Sequence, residues 1–95
     1  MRSEWLAEAL RTLNSQIEYV AERNPRAAVQ IRDAIQQAVS MLEEHPDIAR
    51  SGRVPGTREM VVSGTPYLIL YRIEGDAILI MRVLHSAQDW PPKNR

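Results

Sequence analysis

Residues 67–85 read YLILYRIEGDAILIMRVLH, two apolar runs separated by Gly75-Asp76. Runs rich in Leu, Ile, Val and Tyr predict β-strands, here at 67–73 and 78–84, and a Gly-Asp pair between them is the signal of a two-residue hairpin loop. With that loop, residue 73 pairs with 78, 71 with 80 and 69 with 82, and this register divides the side chains between two faces.

Both faces of this predicted hairpin are largely apolar. One carries Tyr67, Ile69, Tyr71, Ile73, Ile78, Ile80, Arg82 and Leu84, and the other carries Leu68, Leu70, Arg72, Leu79, Met81, Val83 and His85. A sheet with one face in water should alternate polar and apolar residues instead. Two interpretations follow: part of the sheet awaits a partner, or the rest of the chain covers both sides.

The segment before the sheet predicts two amphipathic helices. Apolar residues recur at spacings of three and four in two series: Leu6, Leu10, Leu13, Ile17 and Val20, then Ala28, Ile31, Ile35, Val39 and Leu42. Between the series, Asn24 can cap the second helix and Pro25 can occupy its first position. Pro46 disfavours helical geometry at His45, which ends the second helix. The pattern predicts an antiparallel helical hairpin at about 3–45.

The whole chain of 95 residues is expected to form a single domain, because it is too short for two cores. A connecting loop rich in Pro, Gly and Arg is expected at 46–57, a sheet at 58–85 with a further strand at 60–62, and a C-terminal tail at 86–95. The predicted fold class is α+β, with the helical hairpin packed on a small antiparallel sheet.

Composition excludes several classes of function. Twelve basic and twelve acidic side chains cancel, so no global field draws the chain to nucleic acid. The chain has no cysteine, and its two histidines lie forty residues apart, so neither a metal site nor a cofactor is expected. Without a signal peptide or an apolar run of ~20 residues, the expected location is the cytoplasm and not a membrane.

The strongest candidates for chemistry are arginines of the C-terminal half together with one histidine. Guanidinium groups match phosphate oxygens, and an imidazole can transfer the protons of a metal-independent ribonuclease. The candidate catalytic set is Arg58, Arg72, Arg82 and His85. The alternative is that these arginines pair with Glu59, Glu74, Asp89 or the carboxylates of a partner.

Motifs over nearly the whole chain resemble the RelE/ParE superfamily, the toxins of bacterial type II toxin–antitoxin operons. They are Trp5 and Ala9, 17–21 (IEYVA), Asn24-Pro25, Leu42, Pro46, Gly52-Arg53, 56–59 (GTRE), 66–72 (PYLILYR) and 82–91 (RVLHSAQDWP). The resemblance implies the α+β fold predicted above. It also implies a short first strand before the first helix, where this chain has only the polar stretch 2–4.

The resemblance implies one of two activities. RelE-like members cut messenger RNA at the ribosome without a metal, whereas ParE-like members inhibit DNA gyrase. Ribonuclease members typically place an arginine after the aromatic that opens the third-strand motif, but here Leu68 follows Tyr67, and Gln88 stands where a basic group would help. The resemblance is therefore closer to ParE: a gyrase-inhibiting toxin that need not be an enzyme. The alternatives are an mRNA endoribonuclease and an inactive relative that serves as antitoxin-binding co-repressor.

The resemblance also implies partners and their contact residues. A cognate antitoxin should form a tight hetero-oligomer with the toxin, and operator DNA should be reached only through that antitoxin. Antitoxin carboxylates and apolar side chains are expected to meet Arg58, Tyr71, Arg72 and Arg82. His85, Gln88 and Trp90 are expected to contact the target, and growth arrest and plasmid stabilisation are the expected biological outcomes.

Overall fold

Two helices lie against one face of a five-stranded sheet. The structure is a computed structural model, and it describes residues 1–92. In chain order the elements are β1 (Arg2–Trp5), α1 (Ala7–Arg23), α2 (Pro25–Glu44), β2 (Arg50–Ser51), β3 (Arg58–Val61), β4 (Tyr67–Glu74) and β5 (Ala77–His85). The α+β class predicted from the sequence is confirmed. The last three residues of the predicted tail lie outside the described part of the chain.

The helical hairpin forms where the apolar spacing places it. The side chain of Asn24 accepts a hydrogen bond from the backbone N–H of Ala27 at 3.1 Å, and Pro25 occupies the first helical position, as expected for a capped start. At the other end, the N–H of His45 donates to the carbonyl of Met41. The predicted start at about residue 3 is wrong, because residues 2–5 form a strand. Neither helix within residues 1–92 has a stretch long and apolar enough to cross a membrane.

The sheet is mixed. Its strand order is β1-β5-β4-β3-β2, and β1 runs parallel to β5 while the other neighbours are antiparallel. The antiparallel sheet predicted from the sequence therefore corresponds to β3–β5. Two short strands extend it: β1, which the resemblance implied, and β2, which lies inside the predicted connecting loop.

A β-bulge changes the predicted register of the β4–β5 hairpin. Ile73 pairs with Ile78 and Tyr71 with Ile80, as predicted, but Leu70 then pairs with Arg82, so Met81 is the extra residue. The predicted pairing of residue 69 with 82 is wrong, since residue 69 pairs with 83.

The bulge exchanges the faces of β5 beyond it. Val83 joins the helix-covered face, and Arg82 and Leu84 move to the opposite one.

Each face of the sheet has its own apolar cluster. Under the helices lie Tyr67, Ile69, Tyr71, Ile78, Ile80 and Val83 with residues of both helices. On the opposite face, Leu68, Leu70 and Leu84 are buried beneath Met81 and Trp90. The chain thus covers the centre of both faces itself. Trp90 of the tail, rather than the breadth of the hairpin, closes the second face.

Candidate functional site

A buried carboxylate organises the second face. Glu59 lies on β3 beside Leu70, which pairs with Arg82 on the next strand, and the side chain of Glu59 is only 1% exposed. Its Oε1 lies 3.3 Å from Nη2 of Arg50 and 3.3 Å from Nε of Arg53. Its Oε2 accepts the backbone N–H of Arg53 at 2.9 Å. Glu59 therefore fixes β2 and the chain that follows it, up to Arg53, against β3. A buried charge needs such partners.

Arg53, together with Arg82, also holds the tail. Nη1 of Arg53 donates to the carbonyl of Trp90 at 3.2 Å, and the guanidinium of Arg82 lies 4.9 Å from the centre of the Trp90 ring. Nε1 of Trp90 is buried and has no hydrogen-bond partner among the described residues. We call Arg50, Arg53, Glu59, Arg82 and Trp90 the arginine–tryptophan cluster. It joins loop, sheet and tail on one face.

Two predicted site residues serve the fold on the opposite face. Nη1 of Arg58 donates to the carbonyls of Ala49 at 3.0 Å and Asp47 at 3.3 Å. The hydroxyl of Tyr71, which pairs with Arg58 across the sheet, donates to the carbonyl of Pro46 at 2.7 Å. Burial raises the pKa of the Tyr71 phenol. Together, Arg58 and Tyr71 anchor the turn that follows α2.

His85 and Gln88 form a turn at the end of β5. Nδ1 of His85 accepts the N–H of Ala87 at 3.0 Å, and the N–H of Gln88 donates to the carbonyl of His85 at 2.9 Å. The His85 ring stands edge-on to Tyr67, 5.4 Å between centroids. Burial, and then the neighbouring Tyr19, raise the pKa of the Tyr67 phenol. The imidazole is thus held by its own turn, with Nδ1 already occupied as an acceptor.

The four candidate catalytic residues do not converge. Arg58 lies opposite Tyr71 and His85 opposite Tyr67, four positions apart on β4, which separates them by about 13 Å along the strand. Arg72, on the second face, is exposed and pairs with Glu74 at 2.9 Å. Arg82, on the same second face, contacts Trp90 instead. No single phosphate could meet all four.

The predicted binding residues are similarly divided. Arg72 and Arg82 share the second face, whereas Tyr71 is 0% exposed beneath the helices, and the antitoxin contact of all three stays a prediction. Of the predicted target-contacting residues, Gln88 is exposed, whereas the ring of Trp90 packs on Leu68, Leu70 and Leu84.

Glu59 is the residue that sequence reasoning undervalued. Glu59 entered only as a counter-charge for arginines, yet its carboxylate is the centre to which Arg50 and Arg53 attach. The available signal was its position: in a strand reading REMV, an acid lies on the same face as Val61, two residues away. An acid on an apolar strand face requires a cation or a donor nearby.

Comparison with known proteins places this chain among toxins. Residues 4–90 match the family model described as the ParE toxin of the type II toxin-antitoxin system parDE. The candidate toxin Y4kP of Sinorhizobium fredii is 40% identical over 95% of this chain and 93% of its own length. Toxin RelE1 of Caulobacter vibrioides is 33% identical over 84% of this chain and 87% of its own length.

A solved structure shares the fold. A chain described as the chromosomal ParDE toxin–antitoxin system from P. aeruginosa superposes with a TM-score of 0.79 over 90% of this chain and 95% of that one, at 22% identity. At that identity the likeness concerns the fold. The family model spans nearly the whole sheet and both helices, and on that match the chain belongs to the ParE toxin family of type II toxin–antitoxin systems.

Proposed function

We propose that this toxin arrests growth in the cytoplasm by inhibiting DNA gyrase, and that a cognate antitoxin neutralises it in a tight hetero-oligomer. The observation that carries the choice of target is the dispersal of the candidate ribonuclease residues. Arg58 donates to backbone carbonyls on the helix-covered face, while Arg72 and Arg82 lie on the opposite face. A ribonuclease would need acid, base and phosphate-binding groups around one scissile bond.

The surface proposed to meet gyrase is the turn at 85–88. Ser86, Ala87 and Gln88 are exposed. Two hydrogen bonds hold the turn: Nδ1 of His85 accepts the N–H of Ala87, and the carbonyl of His85 accepts the N–H of Gln88. A preformed turn loses little conformational entropy on binding, which favours recognition. Operator DNA would be reached only through the antitoxin, and stabilisation of a plasmid would follow from carrying the pair.

One observation supports mRNA cleavage as a second candidate. The edge-on contact between Tyr67 and His85 sets a phenol beside an imidazole at the end of the sheet. A phenol and an imidazole are groups that can serve as acid and base without the dispersed arginines. Exposed Gln88 and Ser86 are the neighbouring side chains, and neither supplies the positive charge that a phosphate would require.

A purified-component assay tests the choice. We expect the toxin to inhibit supercoiling by gyrase and to leave ribosome-bound mRNA intact, with the antitoxin restoring supercoiling. Cut mRNA with unaffected supercoiling would replace the proposal with the ribonuclease. In cells, induction should produce filaments and a DNA-damage response; no growth effect at all would favour an inactive antitoxin-binding relative.

A further inference from the structure

The turn at 85–88 is fixed at its near end by the sheet. His85 is the last residue of β5 and pairs with Tyr67 on β4, and the N–H of Ser86 donates to the carbonyl of Pro66 at 2.7 Å. The hydrogen bonds inside the turn join residues 85–88 to one another. The path that the chain takes on leaving the turn therefore depends on contacts made further along the tail.

The far end of the turn is fixed at Trp90. The ring of Trp90 packs on the apolar cluster of the second face, and the guanidinium of Arg82 lies over it. Both contacts involve the side chain, whereas Nη1 of Arg53 donates to the main-chain carbonyl of Trp90. Because a hydrogen bond is more directional than ring packing, the bond from Arg53 is the contact that sets the path of the backbone between His85 and Trp90.

Arg53 is itself held by a buried acid and by a tight loop. Oε2 of Glu59 accepts the N–H of Arg53, and Oε1 of the same carboxylate lies 3.3 Å from Nε of Arg53. In the loop, the N–H of Gly52 donates to the carbonyl of Thr57 at 2.7 Å, and a side chain at Gly52 would collide with Oγ1 of Thr57. The main chain and the guanidinium of Arg53 are thus both fixed, so Arg53 offers the tail a rigid donor.

Arg50 binds the same carboxylate without holding the tail. Its Nη2 lies 3.3 Å from Oε1 of Glu59, the same distance as Nε of Arg53, and its side chain is 59% exposed against 45% for Arg53. The two ion pairs should therefore contribute similarly little to stability, since solvent screens both. Within residues 1–92, no hydrogen bond or ion pair joins Arg50 to the tail. The bond to Trp90 is what distinguishes Arg53.

We propose that Arg53, held by Glu59, is the positioning residue of the surface that meets gyrase. It fixes the far end of the turn at Trp90 and so presents residues 85–88 in one geometry. The inference rests on the proposed inhibition of gyrase through that turn. A segment fixed at both ends loses less conformational entropy on binding than a segment fixed at one end. Arg53 acts through Trp90 and not by contact with the target.

The matched variants Arg53→Ala and Arg50→Ala test this role. Each removes one ion pair to Glu59, but Arg53→Ala also removes the bond to Trp90. We expect Arg53→Ala to raise the toxin concentration that half-inhibits supercoiling by roughly 10-fold or more, and Arg50→Ala to raise it less than about 3-fold. The Tm values of the two variants should agree within a few degrees, because both lose an exposed partner of the same carboxylate.

The indole signals of the toxin separate positioning from a general loss of stability. The chain has two tryptophans, Trp5 and Trp90, so ¹⁵N-labelled toxin gives two indole N–H signals in an NMR spectrum. In folded Arg53→Ala, we expect the indole proton of Trp90 to exchange with solvent at least ~10-fold faster than in the unmodified toxin. The indole proton of Trp5 should exchange at its original rate in both variants, and that of Trp90 should do so in Arg50→Ala.

Three results would overturn the proposal. Equal losses of inhibition in both variants, or no loss in either, would show that the bond to Trp90 does not matter for the target. A loss of inhibition in Arg53→Ala with unchanged exchange of the Trp90 indole would mean that Arg53 acts other than through the tail. If the unmodified toxin does not inhibit gyrase, the proposed function fails instead, and the exchange of the Trp90 indole still decides whether Arg53 holds the tail.

Discussion

The guanidinium of Arg82 lies 4.9 Å from the centre of the Trp90 ring, and Arg53 donates to the Trp90 carbonyl at 3.2 Å. Two arginines from different elements thus hold one tail residue against the second face of the sheet. A cation over an indole face and a charged donor on a carbonyl are both favourable contacts. The tail up to Trp90 is therefore part of the folded domain.

Replacement of Trp90 should expose the cluster it covers. Trp90→Ala uncovers Leu68, Leu70 and Leu84, and we expect it to lower the free energy of unfolding by about 3 kcal/mol. Trp90→Phe should cost about 1 kcal/mol, because Nε1 has no hydrogen-bond partner among the described residues to lose. Guanidinium denaturation measures both. A change of less than ~0.5 kcal/mol for Trp90→Ala would mean that the tail does not pack in solution.

Replacement of the buried Glu59 should lower the free energy of unfolding. Glu59→Ala leaves the N–H of Arg53 without its acceptor and opens a cavity, so we expect a loss of about 2–3 kcal/mol in the free energy of unfolding. Glu59→Gln keeps an acceptor oxygen and should lose about half as much, since both arginine partners are largely exposed and their ion pairs are screened.

Glu74→Ala is the control for Glu59. That carboxylate is 62% exposed and pairs with Arg72, so its removal should change the free energy of unfolding by less than ~0.5 kcal/mol. Equal effects of Glu59→Ala and Glu74→Ala would contradict the central role of Glu59.

Replacement of Arg58 should lower stability, whereas replacement of Arg72 should leave stability unchanged and so tests antitoxin binding alone. Arg58→Ala removes the donor to the carbonyls of Asp47 and Ala49 and should cost about 1–2 kcal/mol of unfolding free energy. Arg72→Ala should leave stability unchanged within ~0.5 kcal/mol, because its side chain is exposed. Denaturation together with titration against the antitoxin tests this. If Arg72 contacts the antitoxin, its loss weakens binding in a fully stable toxin, and unchanged affinity removes Arg72 from that surface.

The ion pair between Arg2 and Asp76 predicts an effect of acid on β1. A hydrogen bond from Arg2 at 2.6 Å lowers the pKa of the Asp76 carboxyl below its ordinary value. A carboxyl whose pKa is lower in the folded than in the unfolded state stabilises the fold above the unfolded pKa of about 3.9, and that contribution is lost as pH falls through the lower, folded-state pKa. Asp76→Asn should therefore lower Tm at pH 6, and the difference in Tm should shrink as the pH is lowered below about 4, whereas a difference independent of pH would contradict the assignment.

The fold could be predicted from the sequence wherever the signal was local. The turn at Gly75-Asp76 fixed the pairs 73–78 and 71–80, and Asn24-Pro25 located the hairpin connection. The bulge at Met81 had no local signal, because both faces of β5 are apolar and a slip of one residue leaves the pattern equally hydrophobic. β1 is polar and forms only because β5 offers an edge to pair with.

The contacts within the candidate site were harder to predict because they depend on the same bulge at Met81. Arg58 and Arg72 both lie at the middle of the sheet, yet they point to opposite faces because Arg58 pairs with Tyr71 and Arg72 follows it. Arg82 changed face through the bulge and thereby met Trp90. The sequence names the candidate residues, but which of them meet depends on the register of β4 and β5, and that register depends on the one unpaired residue of the bulge.

His85 provides the sharpest separation of the two proposed targets. His85→Ala removes the acceptor for the N–H of Ala87 and the edge contact with Tyr67, whereas His85→Asn keeps an acceptor near the position of Nδ1. For a gyrase inhibitor we expect His85→Asn to retain toxicity within about 3-fold, because the turn at 85–88 is preserved even though the imidazole is gone. A ribonuclease that uses the imidazole as acid or base would lose ~10²-fold or more of its cleavage activity in both variants.

Supercoiling inhibition and mRNA cleavage should be measured on both proteins after their Tm is shown to match the unmodified toxin within a few degrees. Loss of ~10²-fold in a folded His85→Asn variant would move the proposal from gyrase to RNA.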